Sequence, residues 1–582
     1  MNDINTATAN IQPKKRSFLP EDFQVSSWEQ LQPYFDELSK RELTSLHELQ
    51  EWLSDLSELE SVIGEDACWR QIKMTCDTTD PKLEEAFTYF VTEIEPKLKP
   101  YMFAINRKLL DCPYKEQLDD QQYFPYLRGV ANSVSLYREE NIPLQSEISL
   151  LAQQYGVISG AMTIEENGKT LTLQQAAKLL HDPSRTLRKD VFEKVAQRRL
   201  TDRDKLNELF DKLLQLRHQV AVNAGFDNYR DYKFRELGRF DYTPDDCFAF
   251  HEAVKEHIVP LQRSLLEYRK ALLGIESMKP YDTDAEPEGQ TPLQPFHSGA
   301  EMLEKSIAVF STLRPFFGDC LRRMKEMGRM DLDSRIGKAP GGYNCPLPET
   351  GVPFIFMNAA GTVNDLITMM HEGGHAIHSF LSHKLPLAAF KEYPMEIAEL
   401  ASMSMELFTL EHWQQFFDTA EECRRAQWEE LERVIDVLPW IATIDKFQHW
   451  LYTHPGHTAA EREQEWLRIH QEFSTGIVDW QDFETYRASF WQKQLHLFEV
   501  PFYYIEYGIA QLGAIAMWRQ YKQNKEQALD NYMKALSLGY TRTLGQLYET
   551  AGIRFDFSPA YIRELSAFVQ TEMQLLSDSK AN

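Results

Sequence analysis

The chain has 582 residues and carries 62 Lys and Arg against 88 Asp and Glu, a formal net charge of −26. A surplus of that sign repels phosphate backbones and anionic headgroups, which argues against nucleic acid and an anionic membrane surface as partners. Hydrophobic residues make up 43% of the chain, enough for a large core, yet no stretch approaches the roughly 18 consecutive apolar residues of a spanning helix.

In chain order, Met1 to Pro20 is polar, contains Lys14-Lys15-Arg16 and has no apolar run, so it does not read as a secretory signal. Apolar residues then recur at spacings of three and four over residues 27–60, 80–110, 145–157, 172–225 and 243–275, which predicts helices. Between two of these, Met162 to Leu173 alternates around Asn167-Gly168 and predicts a tight hairpin. Residues 276–297, with Pro280, Pro287, Gly289, Pro292 and Pro295, read as a surface connection or the edge of a lid. Gly341 to Pro346 reads as a flexible loop and Val352 to Asn358 as a short apolar strand. Seven cysteines are scattered without CxxC spacing, so spacing indicates neither a disulfide framework nor a thiolate metal site. Reduced thiols and the absent signal predict a soluble, cytoplasmic protein. A break near residue 200 divides an N-terminal helical region, 1–200, from the part bearing the main motif, 201–582, with the lobes expected to interleave.

That motif is His371-Glu372-Gly373-Gly374-His375. It lies in a segment, Thr362 to Leu385, whose apolar residues Val363, Leu366, Ile367, Met370, Ile377, Phe380 and Leu381 predict a helix. Residues four apart on a helix differ by about 40° around the axis, so His371 and His375 point at one spot, which suits a tetrahedral zinc ion. Glu372 is then placed to take a proton from a zinc-bound water. Two adjacent glycines, each costing about 1 kcal/mol in a helix relative to Ala, imply that another element or a substrate backbone approaches closely. Asp365 reads either as a residue orienting a ligand or, more simply, as a helix-start carboxylate.

A catalytic zinc keeps three protein ligands, so one more is required. A second helix starting around Pro394 offers Glu392, Glu396, Glu399 and Glu406, among which periodicity does not choose. His378 is excluded as the third ligand. Cα atoms seven apart are about 10.5 Å apart along the axis, too far for two imidazoles to share one ion comfortably.

The pattern His371-Glu372-Gly373-Gly374-His375-Ala376-Ile377-His378 resembles the HExGHxxH signature of the zinc oligopeptidases typified by thimet oligopeptidase and, more closely, bacterial oligoendopeptidase F. Glu399 to Glu406 is similar to the family's ExxSxxxE stretch, and this resemblance selects Glu399 as the third ligand. Gly373 departs from the bulkier residue common there. Ala221 to Tyr229 is similar to the family's AGFxNY segment and His449 to Pro455 to its HWxYTHP segment. His496 followed by Pro501 to Tyr507 resembles its His and Tyr-rich helix. The likeness extends over residues 20 to 575.

The resemblance implies a mostly α fold of two helical lobes around a deep substrate channel, with a few short strands near the zinc site. It implies a single Zn2+ held by His371, His375 and Glu399, and endopeptidase action on short peptides with Glu372 as general base. Donors to the developing oxyanion would come from His496 and the tyrosines, of which Tyr504 and Tyr507, three apart, share a helical face. From the residues alone, the Val352 to Asn358 strand reads either as an edge to which an extended peptide could add, giving broad specificity, or equally as part of a buried structural hairpin. The competing expectations are a zinc carboxypeptidase or dipeptidyl carboxypeptidase, which would need a basic residue to grip the terminal carboxylate, and a non-catalytic helical peptide-binding protein.

Overall fold

The computed structural model describes residues 9–578 apart from Glu288, Ile336 and Pro340. The first eight residues of the polar N-terminal stretch and one acidic residue of the 276–297 segment lie outside the described residues. Within them the chain is mostly α, with five short strands, and no helix is long and apolar enough to cross a membrane.

The predicted helices form, with breaks where local chemistry competes. The 27–60 pattern divides into Trp28–Lys40 and Leu46–Cys76, because the Ser45 hydroxyl accepts from the Glu48 backbone N–H and starts a new helix. The 172–225 pattern becomes Leu173–Lys178, Arg185–Thr201 and Arg203–Asn223. Two π turns, Phe90–Ile94 and Val254–Ile258, each run into a helix with proline in its first turn. Proline lacks the N–H of the regular ladder, and the hydrogen bonding widens just ahead of it. The hairpin is as expected. Strand β1, Thr163–Glu166, pairs antiparallel with β2, Lys169–Thr172, and Asn167 and Gly168 both take positive φ, 51° and 73°, the geometry of the tight turn.

The second sheet corrects two readings. Strands β3 (Met330–Asp333), β4 (Tyr343–Cys345) and β5 (Phe354–Ala359) order as β3-β5-β4, with β3 parallel and β4 antiparallel to β5. The 341–346 stretch is therefore not all loop, and the Val352 to Asn358 strand is central. Both edges of β5 are paired, so it cannot take an added peptide strand; its nearly unbroken burial marks a strand covered on both faces. Phe354, Phe356, Cys345 and Leu347 form one apolar cluster with Ile72 of Leu46–Cys76.

The chain divides into two compact units. The first comprises Met1–Tyr137, Gln294–Gln427 and Ala510–Phe555. One of its apolar clusters gathers Trp28, Phe35, Trp52, Leu56 and Ile105 with Phe390. The second comprises Arg138–Leu293, Trp428–Ile509 and Asp556–Asn582, and one of its clusters packs Phe192 on Tyr281, Phe483 and Tyr486. Tyr281 belongs to the segment read as a surface connection. There the structure differs: Asp282 is fully buried and accepts hydrogen bonds from Arg185 and Arg188, so this end of the segment is anchored by paired charges.

Candidate functional site

The motif helix spans Val363–Ser382. It starts with a capping box: Thr362 Oγ1 accepts from Asp365 N, while Asp365 Oδ2 accepts from the backbone of Thr362 and of Ala360. Asp365 is therefore a helix-start residue, the simpler of its two readings. One helical turn separates His371 from His375, and their ring centroids are 4.8 Å apart.

Facing it is the helix Met395–Thr409, with Pro394 at its N-cap. Glu399 Oε2 lies 3.2 Å from His371 Nε2 and 3.7 Å from His375 Nε2, and one ligand atom from each of the three residues lies within 4.8 Å of the others. Two further residues fix this set. Ser402 Oγ donates to Glu399 Oε2 at 3.1 Å, and Glu406 Oε1 accepts from His371 Nδ1 at 2.6 Å. With its proton on Nδ1, His371 can turn the Nε2 lone pair to a cation shared with Glu399, the arrangement metal-binding histidines use. The spacing Glu399, Ser402, Glu406 covers two helical turns on one side, a signal the sequence carried without revealing the partner of each residue. Of the remaining glutamates, Glu392 precedes the helix and Glu396 sits in its first turn.

The double glycine has a structural cause. A Cβ at Gly374 would stand 2.6 Å from Ala401 O and Ser402 Cα, so the bare backbone lets the glutamate helix come into contact with the motif helix. A Cβ at Gly373 would run into the ring of Phe310, from the helix Gly299–Leu313. That ring occupies the volume a bulkier residue would fill. The close partner is thus another element in each case. His378 is fully buried and stacks on Tyr393 with centroids 3.5 Å apart; burial holds its imidazole neutral, well below its ordinary pKa.

Electrostatics set these groups apart. Burial disfavours charge on His371, but hydrogen bonds to Glu399 and Glu406 outweigh it and raise this imidazole well above its ordinary value. Burial lowers His375 to about 4 and raises Glu372 to about 7. Glu372 Oε2 is buried without a hydrogen-bond partner. Two buried carboxylates around one imidazole demand positive charge at this point, and a donor set of two nitrogens and one carboxylate oxygen suits a divalent cation with one position left for water. The residues present fit a metal ion.

His496, Tyr504 and Tyr507 lie in the second unit. His496 is 4.9 Å from Tyr504 and 5.8 Å from Tyr507 between centroids, Tyr504 and Tyr507 are 5.5 Å apart, and Tyr503 also touches His496 at 5.9 Å. A hydrogen-bond chain sets the tautomer of His496. Trp440 Nε1 can only donate, and it does so to Gln494 Oε1 at 2.9 Å. Gln494 Nε2 therefore donates to His496 Nδ1, 2.7 Å away, which puts the ring proton of a neutral imidazole on Nε2. Nearby, Arg217 donates to Leu497 O and Tyr452 Oη at 3.1 and 2.8 Å. Arg239 pairs with Glu506 at 2.8 Å and also donates to Phe502 O. Phe502 has a φ of 67°, a strained value for a bulky residue. Neither Gln494 nor the two arginines carried any signal in the sequence, since their partners are remote along the chain.

Comparison with known proteins extends over most of the chain. The model of peptidase family M3 matches residues 178–567, and that of the peptidase M3 N-terminal domain matches 18–137. An oligoendopeptidase F homolog of Lactococcus lactis subsp. lactis is 26% identical over 244 residues, 40% of this chain but only 38% of that relative's length. An oligoendopeptidase F homolog of Borreliella burgdorferi is 22% identical over 550 residues, 89% of this chain and 87% of its own. Among solved structures, PZ peptidase A with an inhibitor superimposes with a TM-score of 0.89 at 26% identity, covering 96% of this chain and 99% of the other.

Proposed function

We propose, from the premise that this chain belongs to peptidase family M3, that it is a zinc-dependent endopeptidase hydrolysing internal bonds of short oligopeptides. The observation that carries this reading is the convergence of His371, His375 and Glu399 beside Glu372, whose buried Oε2 has no hydrogen-bond partner.

In this reading His371, His375 and Glu399 hold one Zn2+, which when bound lowers the pKa of a coordinated water and polarises the scissile carbonyl. Glu406 and Ser402 keep His371 and Glu399 oriented. Glu372 accepts the proton of the attacking water and returns it to the leaving amine. In the metal-free chain burial raises its carboxyl to about 7. His496, Tyr504 and Tyr507 donate to the negative charge that develops on the carbonyl oxygen; the Nε2–H tautomer enforced through Gln494 supports this for His496. Strand β4, at the sheet edge, can pair with an extended peptide through main-chain groups. Asn344 of this strand donates to the Glu372 carbonyl at 3.3 Å, which ties it to the motif helix.

The names of the relatives, oligoendopeptidases, favour internal cleavage over a carboxypeptidase or dipeptidyl carboxypeptidase. Seven cysteines without a disulfide support a reducing, cytoplasmic setting. The decisive experiment uses an internally quenched peptide blocked at both ends. Cleavage that stops on chelation and returns with zinc is the expected result, and a blocked peptide left intact would sink the endopeptidase assignment.

A further inference from the structure

A second cluster of metal-ligating side chains lies inside the second unit. Cys247 and His251 are four apart on the helix Pro244–Ala253, and Asp445 and His449 are four apart on the helix Ala420–Thr453. Each pair therefore presents its two side chains on one helical side, a turn apart. One ligand atom each from Cys247, Asp445 and His449 lies within 4.8 Å of the others, the same closeness that brings His371, His375 and Glu399 together. All four residues are buried: His251 and Asp445 are 0% exposed, Cys247 2% and His449 3%.

The polar accounting of this cluster is incomplete within the protein. Asp445 Oδ2 accepts from His251 Nε2 at 2.9 Å, and His449 Nε2 stands 3.3 Å from the same oxygen. Asp445 Oδ1 and both ring nitrogens of His449 nonetheless lack hydrogen-bond partners. The surroundings are largely aromatic: Phe248, Phe502 and Phe234 have ring centroids 4.7, 5.4 and 5.8 Å from that of His449, and Phe473 lies 6.4 Å from His251. A buried carboxylate with one unsatisfied oxygen is costly unless a cation accompanies it.

We propose that Cys247, Asp445 and His449 form a second metal centre for a divalent ion of the zinc class, with His251 as a positioning residue that orients the Asp445 carboxylate. A thiolate and a carboxylate balance the two positive charges of the ion, and the neutral imidazole completes a mixed sulfur, oxygen and nitrogen set. Zinc accepts that combination, whereas calcium and magnesium, which prefer oxygen ligands, do not. The hydrogen bond from His251 to Oδ2 leaves Oδ1 to the ion, the arrangement by which outer partners fix a ligating carboxylate. Three protein ligands leave the fourth position of the ion to a water or another small ligand. The centre cross-links two helices whose ligands stand about 200 residues apart in sequence, well beyond the reach of any CxxC-type spacing.

The test reads metal content and spectrum in the full chain, so its outcome is independent of peptide hydrolysis. In the His371→Ala/His375→Ala variant, elemental analysis should find zinc still bound near one equivalent, and adding Cys247→Ser should remove it. A double-histidine variant that binds no zinc overturns the proposal. Because Cys247→Ser could also fail to fold, the wild-type chain loaded with Co2+ gives a second readout. The His371, His375 and Glu399 set contains no sulfur, so a thiolate-to-cobalt charge-transfer band reports the second centre. Absence of that band, or its persistence in a folded Cys247→Ser chain, overturns the proposal and leaves the contacts of His251 and His449 with Asp445 as the account of the cluster.

Discussion

His371 Nδ1 lies 2.6 Å from Glu406 Oε1, so the imidazole that faces Glu399 through Nε2 is gripped from behind by a second carboxylate. Removing that grip frees the ring to rotate and weakens the basicity of Nε2. Glu406→Ala is expected to weaken zinc binding by about 10 to 100-fold, and Glu406→Gln less, since its amide oxygen still accepts the Nδ1–H. Competition against a chromophoric chelator measures this. Affinity unchanged in Glu406→Ala would remove Glu406 from the account of the site.

Glu372→Gln separates binding from chemistry. The amide cannot accept the water proton, so kcat should fall by orders of magnitude while zinc content stays at the wild-type level. If this variant hydrolyses peptide at the wild-type rate, Glu372 is not the base.

The same substitution should alter the stability of the metal-free chain. Burial raises the folded-state carboxyl from its ordinary value to about 7, so the folded chain holds its proton more tightly than the unfolded one. The resulting stability is fully present below about pH 4.5 and is lost as pH rises to about 7, with a ceiling of roughly 3 kcal/mol. Metal-free Glu372→Gln should lose less stability over that interval, as denaturant unfolding at several pH values can measure. Equal slopes would show that Glu372 is not buried in its acid form.

Gly374→Ala should damage the metal site from a position that bears no functional group. Its Cβ meets backbone, Ala401 O and Ser402 Cα at 2.6 Å, and backbone cannot rotate away. Overpacking of this kind costs about 1–3 kcal/mol, and relief by moving the glutamate helix withdraws Glu399 from the two imidazoles. A lower Tm together with weaker zinc binding is expected; wild-type values for both would refute the close-approach argument.

Gln494 offers a test of His496 that leaves His371, His375 and Glu399 untouched. Its amide sets the Nε2–H tautomer, and Gln494→Glu would draw the ring proton to Nδ1. A fall in kcat with unchanged zinc content is predicted, smaller than the roughly 100-fold or greater loss expected for His496→Phe if that donor serves the oxyanion. Full activity in both variants would exclude His496 from the chemistry.

Local regularity was what the sequence determined. Helical periodicity and caps act within a few residues, so the motif helix, its Thr362 start, the Asn167-Gly168 hairpin and the common direction of His371 and His375 were legible without coordinates. Periodicity left four glutamates open, and resemblance alone singled out Glu399. Pairings between distant segments were decided only by tertiary structure, because no periodicity encodes which helix faces which. Packing made β5 central rather than an edge, matched Glu406 to His371 and Gln494 to His496, and gathered Cys247 with Asp445 and His449. Gly373 and Gly374 lie between the two levels: the sequence showed that bulk had been removed, and the fold showed that Phe310 and the backbone at Ala401 and Ser402 take up that space.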